Sequence, residues 1–182
     1  MEKLIIFGTL SILVILVSWK SLKSHRNHGF YRFFSWECIL WLLVSNIQFW
    51  FEDPFGLRQV ISWILLFASI YYVVAGVILM KKIGKPKKSS EREELYGFEK
   101  TTELIDHGIF RYIRHPLYGS LMLLSWGIFL KNVSFPLFFV AMASTVFLYV
   151  TALYDEKECI QFFGTQYKQY MKRTKMFVPF LF

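Results

Sequence analysis

Two stretches of the chain carry side chains suited to chemistry. In the first, residues 97–119, Asp106, His107, Gly108, Arg111, Tyr112, Arg114, His115 and Tyr118 stand just ahead of an apolar run. Pro116 suits the first turn of a helix, where its missing N–H costs nothing, and it biases His115 toward extended backbone. Helix N-termini attract anions, and Arg111 and Arg114 add to that field. On these residues alone two readings stand, an anchor for the helix in the lipid headgroups and a binding site. The second stretch opens with the adjacent carboxylates Asp155 and Glu156 at the end of another apolar run. Carboxylates there oppose both the helix dipole and the basic trend of cytoplasmic loops, so an anchor does not account for them. Ile160, Phe163, Tyr167 and Tyr170 follow at helical spacing and predict an amphipathic helix lying on the membrane surface.

The elements that must position these groups are written in the composition. Of 182 residues, 55% are hydrophobic and 20% aromatic, against only 19% charged. That balance excludes disorder and points away from a water-soluble globule, and two cysteines are too few for a disulfide scaffold. A bilayer core takes about 20 helical residues to cross. Apolar runs near that length fall at 4–19, 33–51, 60–80, 117–130 and 135–154. The sequence therefore predicts an all-α, polytopic membrane protein with about five spans, forming one integral membrane domain over 1–182. The fourth run is short and is separated from the fifth by four residues, so the last two spans are expected as a helical hairpin. An amphipathic C-terminal helix completes the set.

Five spans put 18 of the 21 Lys and Arg on one face, in 20–32, 81–116 and the tail from 155. The positive-inside rule then places that face in the cytoplasm, with the N-terminus outside and the C-terminus inside. The net charge of +8 is accounted for in the same way, so nucleic acid is not the expected partner. Lys81, Lys82, Lys85, Lys87 and Lys88 read as a solvated loop touching anionic headgroups. Trp19, Trp36, Trp50 and Trp63 lie near span ends, where indoles favour the interface. Trp19 and Lys20 close the first run with no small-residue cleavage site, which makes it an anchor and not a signal peptide. No extra N-terminal targeting sequence and no large loop are present, which fits a bacterial or archaeal cytoplasmic membrane better than the endoplasmic reticulum. Cys38 and Cys159 suggest neither a disulfide nor a metal site. Within the second run, Glu37 is expected to reach water, and Asn46 and Gln48 to hydrogen-bond between helices. Nothing resembles the paired broken helices or internal repeat of a transporter.

The order Gly108, Phe110, Arg111, Tyr112, Arg114, His115, Pro116, Tyr118, then two spans, then Asp155 and Glu156 with Phe163, Gly164, Tyr167, Tyr170 and Pro179, is distinctive. It resembles the isoprenylcysteine carboxyl methyltransferase and phospholipid methyltransferase superfamily over about the last 80 residues. The resemblance implies a cytoplasm-facing pocket for S-adenosyl-L-methionine, with a lipid or lipidated acceptor arriving laterally from the bilayer. The implied cofactor-binding segments are 97–119 and 151–182. Gly108, Arg114, His115, Tyr118, Asp155 and Glu156 become the implied cofactor contacts, and His115, Glu156 and Arg111 the implied catalytic set. No metal is implied. Two departures stand out: Asp155 replaces the usual first Glu, and Thr151 occupies the place where prenylcysteine methyltransferases carry an Arg.

The chemistry of the cofactor agrees with these residue types. Its sulfonium is already activated, so the protein must position donor and acceptor and shape the electrostatics. Its ammonium calls for a carboxylate such as Glu156 and its carboxylate for a cation such as Arg114, while Tyr118 and its aromatic neighbours suit adenine or the sulfonium. A prenylcysteine carboxylate is ionised already and wants an orienting cation, which Thr151 does not supply. A lipid amine must lose a proton, for which His115, Asp155 and His107 are candidate bases, with Arg111 for its phosphate. Both acceptors stay open at this point, beside a non-catalytic membrane protein that retains the motif and binds no cofactor.

Overall fold

The structure, a computed structural model, describes residues 1–23, 25, 27–84 and 102–179. Among them it is all-helical: α1 (Glu2–Leu22), α2 (His28–Asn46), α3 (Leu57–Lys82), α4 (Pro116–Phe129), α5 (Phe135–Phe163) and α6 (Thr165–Arg173). Short 3-10 turns occupy Ile47–Phe49 and Gly108–Arg111. Residues 85–101, with Lys85, Lys87, Lys88 and the first part of the 97–119 segment, lie outside the described residues. So do 180–182 at the end of the 151–182 segment.

Helices α1, α3 and α5 are each long and apolar enough to cross a bilayer. Helix α4 is equally apolar but only 14 residues long. Helix α2 differs from the expected 33–51: it starts five residues earlier and ends at Asn46, so His28 and Arg32 fall inside it. The early start is capped, because the Asn27 side chain accepts a hydrogen bond from the Gly29 amide at 2.8 Å. Helix α5 also departs from expectation by running on to Phe163, which carries Asp155 and Glu156 within the helix. Gly164, at φ +61°, breaks it, so Ile160 and Phe163 belong to α5 while Tyr167 and Tyr170 belong to α6. Tyr167 and Tyr170 are buried, so this face of α6 meets protein and not the membrane surface.

The helices alternate in direction. Lys3 donates to the Ser45 carbonyl at 3.0 Å and Ser11 to Glu37 at 2.8 Å, which sets α1 antiparallel to α2. Tyr31 meets Tyr154, Phe34 stacks on Phe147 and Ser35 bonds Ser144 at 2.9 Å, which sets α2 antiparallel to α5. The Ser62 hydroxyl donates to the Gly127 carbonyl at 2.7 Å, and a Cβ on Gly127 would lie 2.9 Å from Leu66, so α3 and α4 approach closely. Small residues and buried hydroxyls hold apolar helices together where lipid supplies no hydrophobic drive. Asn46 donates to the Ile128 carbonyl at 2.9 Å, as expected of an interhelical bond, whereas Gln48 is exposed. Glu37 is bound by Ser11 through one carboxylate oxygen, and the other is buried, so this side chain does not simply reach water.

Ile39, Leu42, Leu66, Ile128, Phe129, Leu137 and Ala141 form the core between α2, α3, α4 and α5. The outward faces carry Leu16, Ile64, Phe67, Phe139 and Val146, apolar groups suited to acyl chains. At the end of the bundle beyond the core, Lys131 is fully buried, its ammonium 3.5 Å from the Trp63 ring centre and 5.1 Å from that of Trp50. Gln59 accepts from it at 3.0 Å. These two indoles therefore stack on a cation as well as marking span ends. The opposite end gathers the start of α2, the start of α4, the far end of α5, α6 and the tail. Both polar stretches meet there.

Candidate active site

The site begins with a local conflict in the chain. Pro116 opens α4, and His115 before it takes φ −121° and ψ 62°, outside helix. The extended backbone leaves amides to be satisfied elsewhere, and the tail supplies the partners. Arg114 N donates to the Lys175 carbonyl at 2.8 Å, His115 N to Met176 at 3.1 Å, and Lys175 N to Tyr112 at 3.0 Å. The Tyr170 hydroxyl donates to the Phe110 carbonyl at 2.6 Å. Arg173 pairs with Asp106, which also meets His107 at 2.7 Å. The tail is thus stitched along the 106–115 segment.

Side chains continue the join. Arg114 Nε donates to Glu156 Oε1 at 2.7 Å, and its Nη1 donates to the Met171 carbonyl at 3.3 Å and to that of Thr174. The Arg114 and Glu156 side chains are each only 9% exposed. His115 sits between two carboxylates, with Nε2 3.3 Å from Glu156 and Nδ1 3.4 Å from Asp155, and its ring stacks on Tyr118 at 5.4 Å. Burial works against a charged imidazole, but hydrogen bonds to Asp155 and Glu156 and their charges outweigh it and raise the His115 pKa above its ordinary value. Tyr118 bonds Asp155 as well.

A cavity of about 110 Å³ opens beside this cluster. Glu103, Asp155, Glu158, His28, His115 and Arg114 supply its polar wall, and Met80, Leu104, Ile105 and Leu117 an aliphatic one. Phe110, Tyr118, Phe163, Tyr167 and Tyr170 add aromatic surface. Burial first, then Cys159, Asp155 and Glu156, push the Tyr167 phenol far above its ordinary range and keep it neutral. His28 Nδ1 lies 2.9 Å from Glu158 Oε2, and the His28 amide donates to Glu158 Oε1 at 3.1 Å. Among the described residues His28, Asp155 and Glu158 are a group whose ligand atoms lie within 4.8 Å of one another, close enough to hold a metal ion.

Of the residues singled out by sequence, Arg114, His115, Tyr118 and Asp155 line the cavity. Glu156 stands behind them, engaged by Arg114 and His115, and is not part of the lining. Arg111 and Gly108 are exposed and lie outside it. Gly108, at φ +57°, instead allows the turn that starts Gly108–Arg111, where a Cβ would lie 2.7 Å from Leu79. His28 and Glu158 were not singled out. Their pairing spans 130 positions, and only an isolated histidine at a helix start and a third carboxylate one turn past Asp155 hinted at it.

Among the described residues, an all-helical bundle with long apolar spans and a polar cavity at one end defines a membrane protein with a recessed polar site. The chain matches the phospholipid methyltransferase family over residues 57–169, more than half its length, and it belongs to that family. It is 20% identical to methanethiol S-methyltransferase 1 of Bradyrhizobium diazoefficiens over 96% of this chain and 53% of that protein. It is 31% identical to protein-S-isoprenylcysteine O-methyltransferase A of Arabidopsis thaliana over 69% of this chain and 64% of that one. With methanethiol S-methyltransferase of Pseudomonas deceptionensis it shares 23% identity over 76% of this chain and 56% of that protein. The chain thus spans a little over half to about two thirds of the length of these relatives. No solved structure matches it.

Proposed function

We propose that the protein transfers a methyl group from S-adenosyl-L-methionine to a lipophilic acceptor that reaches the cavity from the bilayer. The observation that carries this reading is the cavity wall itself. It sets carboxylates, Asp155 among them, against aromatic faces and an aliphatic side. That donor set suits a ligand with an ammonium, a sulfonium and a flat heterocycle. When bound, the cofactor supplies the electrophilic methyl carbon, and the chain's own residues bind and orient the reactants and keep water out.

Asp155 is the carboxylate placed to hold a cationic group, since it lines the cavity and is oriented by His115 and Tyr118. Glu156 holds Arg114 and His115 in place from behind. Tyr118, stacked on His115, presents its ring to the cavity, and Phe163 and Tyr167, whose rings are near parallel at 6.5 Å, offer a flat surface for a base. Met80, Leu104 and Leu117 provide an apolar approach beside α3 and α4. Arg111 is exposed outside the cavity, where a phosphate headgroup could meet it.

The same reading places five crossings in a membrane, with α2 and α4 completing those of α1, α3 and α5, the cavity at the cytoplasmic face and the N-terminus outside. The alternation of helix directions supports it, and so does the sequence, which assigns 18 of the 21 Lys and Arg to the loops and tail of one face. For the acceptor, Thr151 is informative. It is fully buried in α5 and its hydroxyl donates to the Phe147 carbonyl at 2.7 Å, so it offers a carboxylate nothing. That favours a thiol or amine acceptor over a prenylcysteine carboxylate.

The test supplies methyl-labelled S-adenosyl-L-methionine to membranes containing the protein, followed by lipid extraction and mild alkali. Label that stays bound supports an amine or thiol acceptor, and label released as methanol shows an ester and refutes that preference. No label above that of an Asp155→Ala control, with no cofactor binding to the purified protein, refutes the activity altogether.

A further inference from the structure

The cavity contains two histidines, and their surroundings differ. Both ring nitrogens of His115 face carboxylates, Asp155 on one side and Glu156 on the other, so this imidazole is held by the protein at both ends. His28 is engaged at Nδ1 alone, by Glu158. Among the described residues no hydrogen bond takes its Nε2. The side chain is 2% exposed, yet it lines the cavity. Its position is well fixed: it opens α2 with its own amide bonded to Glu158, and the next residue, Gly29, packs so tightly that a Cβ there would lie 2.6 Å from the Ser21 hydroxyl. An imidazole at a cavity wall with a carboxylate on one nitrogen is arranged to accept a proton on the other. His28 also lies outside residues 57–169, the part of the chain that matches the family.

We propose that His28, oriented by Glu158, is the general base that removes the proton from a neutral thiol or amine acceptor during methyl transfer. The inference rests on the methyl-transfer reading above and names the acceptor's chemistry within it. The acceptor sulfur or nitrogen forms a bond to the methyl carbon while the bond from that carbon to the sulfonium sulfur breaks, leaving a neutral thioether. The acceptor's proton passes to His28 Nε2, and the resulting imidazolium is balanced by Glu158. An acceptor carboxylate has no proton to lose and gains nothing from this arrangement. The charged and titratable groups around His28 are Glu158 and Asp155 on α5, Arg32 one turn along α2, and His115 and Tyr118 at the start of α4. Two carboxylates on α5 against one guanidinium on α2 itself suit an imidazole that becomes positive as the reaction proceeds.

The experiment uses the full chain purified in detergent, with His28→Gln and Glu158→Gln variants. Cofactor binding is measured by equilibrium dialysis with labelled S-adenosyl-L-methionine, and transfer is measured to decanethiol, phosphatidylethanolamine and N-acetyl-S-farnesylcysteine. His28→Gln is expected to bind the cofactor within about threefold of wild type while its transfer rate to the thiol or amine falls at least about 100-fold near pH 7. With decanethiol the deficit shrinks toward pH 10, because the thiol then ionises unaided. Glu158→Gln leaves the imidazole in place and is expected to lose about tenfold, which keeps the test open should His28→Gln not fold. Cofactor binding with undiminished transfer in both variants overturns the assignment of His28. So does transfer by wild type to the farnesylcysteine carboxylate alone, or to none of the three acceptors. Loss of wild-type transfer on chelation overturns it in favour of a metal held by His28, Asp155 and Glu158. Absence of cofactor binding by wild type overturns instead the reading on which the proposal rests.

Discussion

Glu156→Ala and Asp155→Asn separate two adjacent carboxylates that the structure uses differently. Glu156 and Arg114 are each 9% exposed and joined at 2.7 Å, and Glu156 also faces His115. Removing one partner of a buried pair costs about 3–5 kcal/mol because the other charge is left behind. Arg114 keeps the Met171 and Thr174 carbonyls, so the lower end applies, about 3 kcal/mol. For a chain of this size that corresponds to a fall in melting temperature of about 6–12 °C. Asp155 is 25% exposed, and asparagine keeps its shape and its bond to His115. Its replacement is therefore expected to shift melting by no more than about 2 °C. It deprives the cavity of a charge-assisted contact worth about 1.5–3 kcal/mol, about a 10- to 100-fold loss of S-adenosyl-L-methionine affinity. Melting is followed with a thiol-reactive fluorophore that reports exposure of Cys38 and Cys159, and affinity by equilibrium dialysis well below either melting point. A Glu156→Ala protein with normal melting and greatly weakened binding refutes the division of roles, as does an Asp155→Asn protein that binds normally.

The raised pKa of His115 sets a pH dependence. Between the ordinary value of 6.5 and the higher folded value, the folded protein holds more protons than the unfolded chain, so stability is full below 6.5 and declines as pH rises through the folded pKa. Melting across pH 5.5 to 9 is expected to show that decline, and His115→Gln to flatten it. Gly108→Ala places a side chain at φ +57° beside Leu79 and is expected to cost about 1 kcal/mol, about 2–4 °C in the same assay. Lys131→Ala empties the space between Trp50 and Trp63 at the end of the bundle remote from the cavity. It is expected to lower melting by about 4 °C or more while leaving cofactor affinity unchanged, which dialysis checks.

Much of the site was legible because local rules act strongly there. Pro116 dictates where α4 begins and why His115 is extended, and the charge on Asp155 and Glu156 ran against the membrane trend wherever they were placed. Helix ends were less legible. Apolarity marks where a helix crosses lipid and not where it starts or stops, so α2 begins five residues before the apolar run and α5 continues nine beyond it. The stripe from Ile160 to Tyr170 kept helical spacing across Gly164, and spacing alone does not register a positive φ.

By itself the sequence determined the helical class, the apolar spans, the charged end of the bundle and the family, since each depends on residue type and near neighbours. Only the tertiary structure decided which charges meet. It gave Arg114 to Glu156, leaving Asp155 to face the cavity, left Arg111 exposed outside that cavity, and brought His28 across 130 positions to Glu158. Those outcomes depend on how α2 and α5 pack side by side, which small residues, hydroxyls and ring contacts along their whole lengths determine together and no local pattern in either helix encodes.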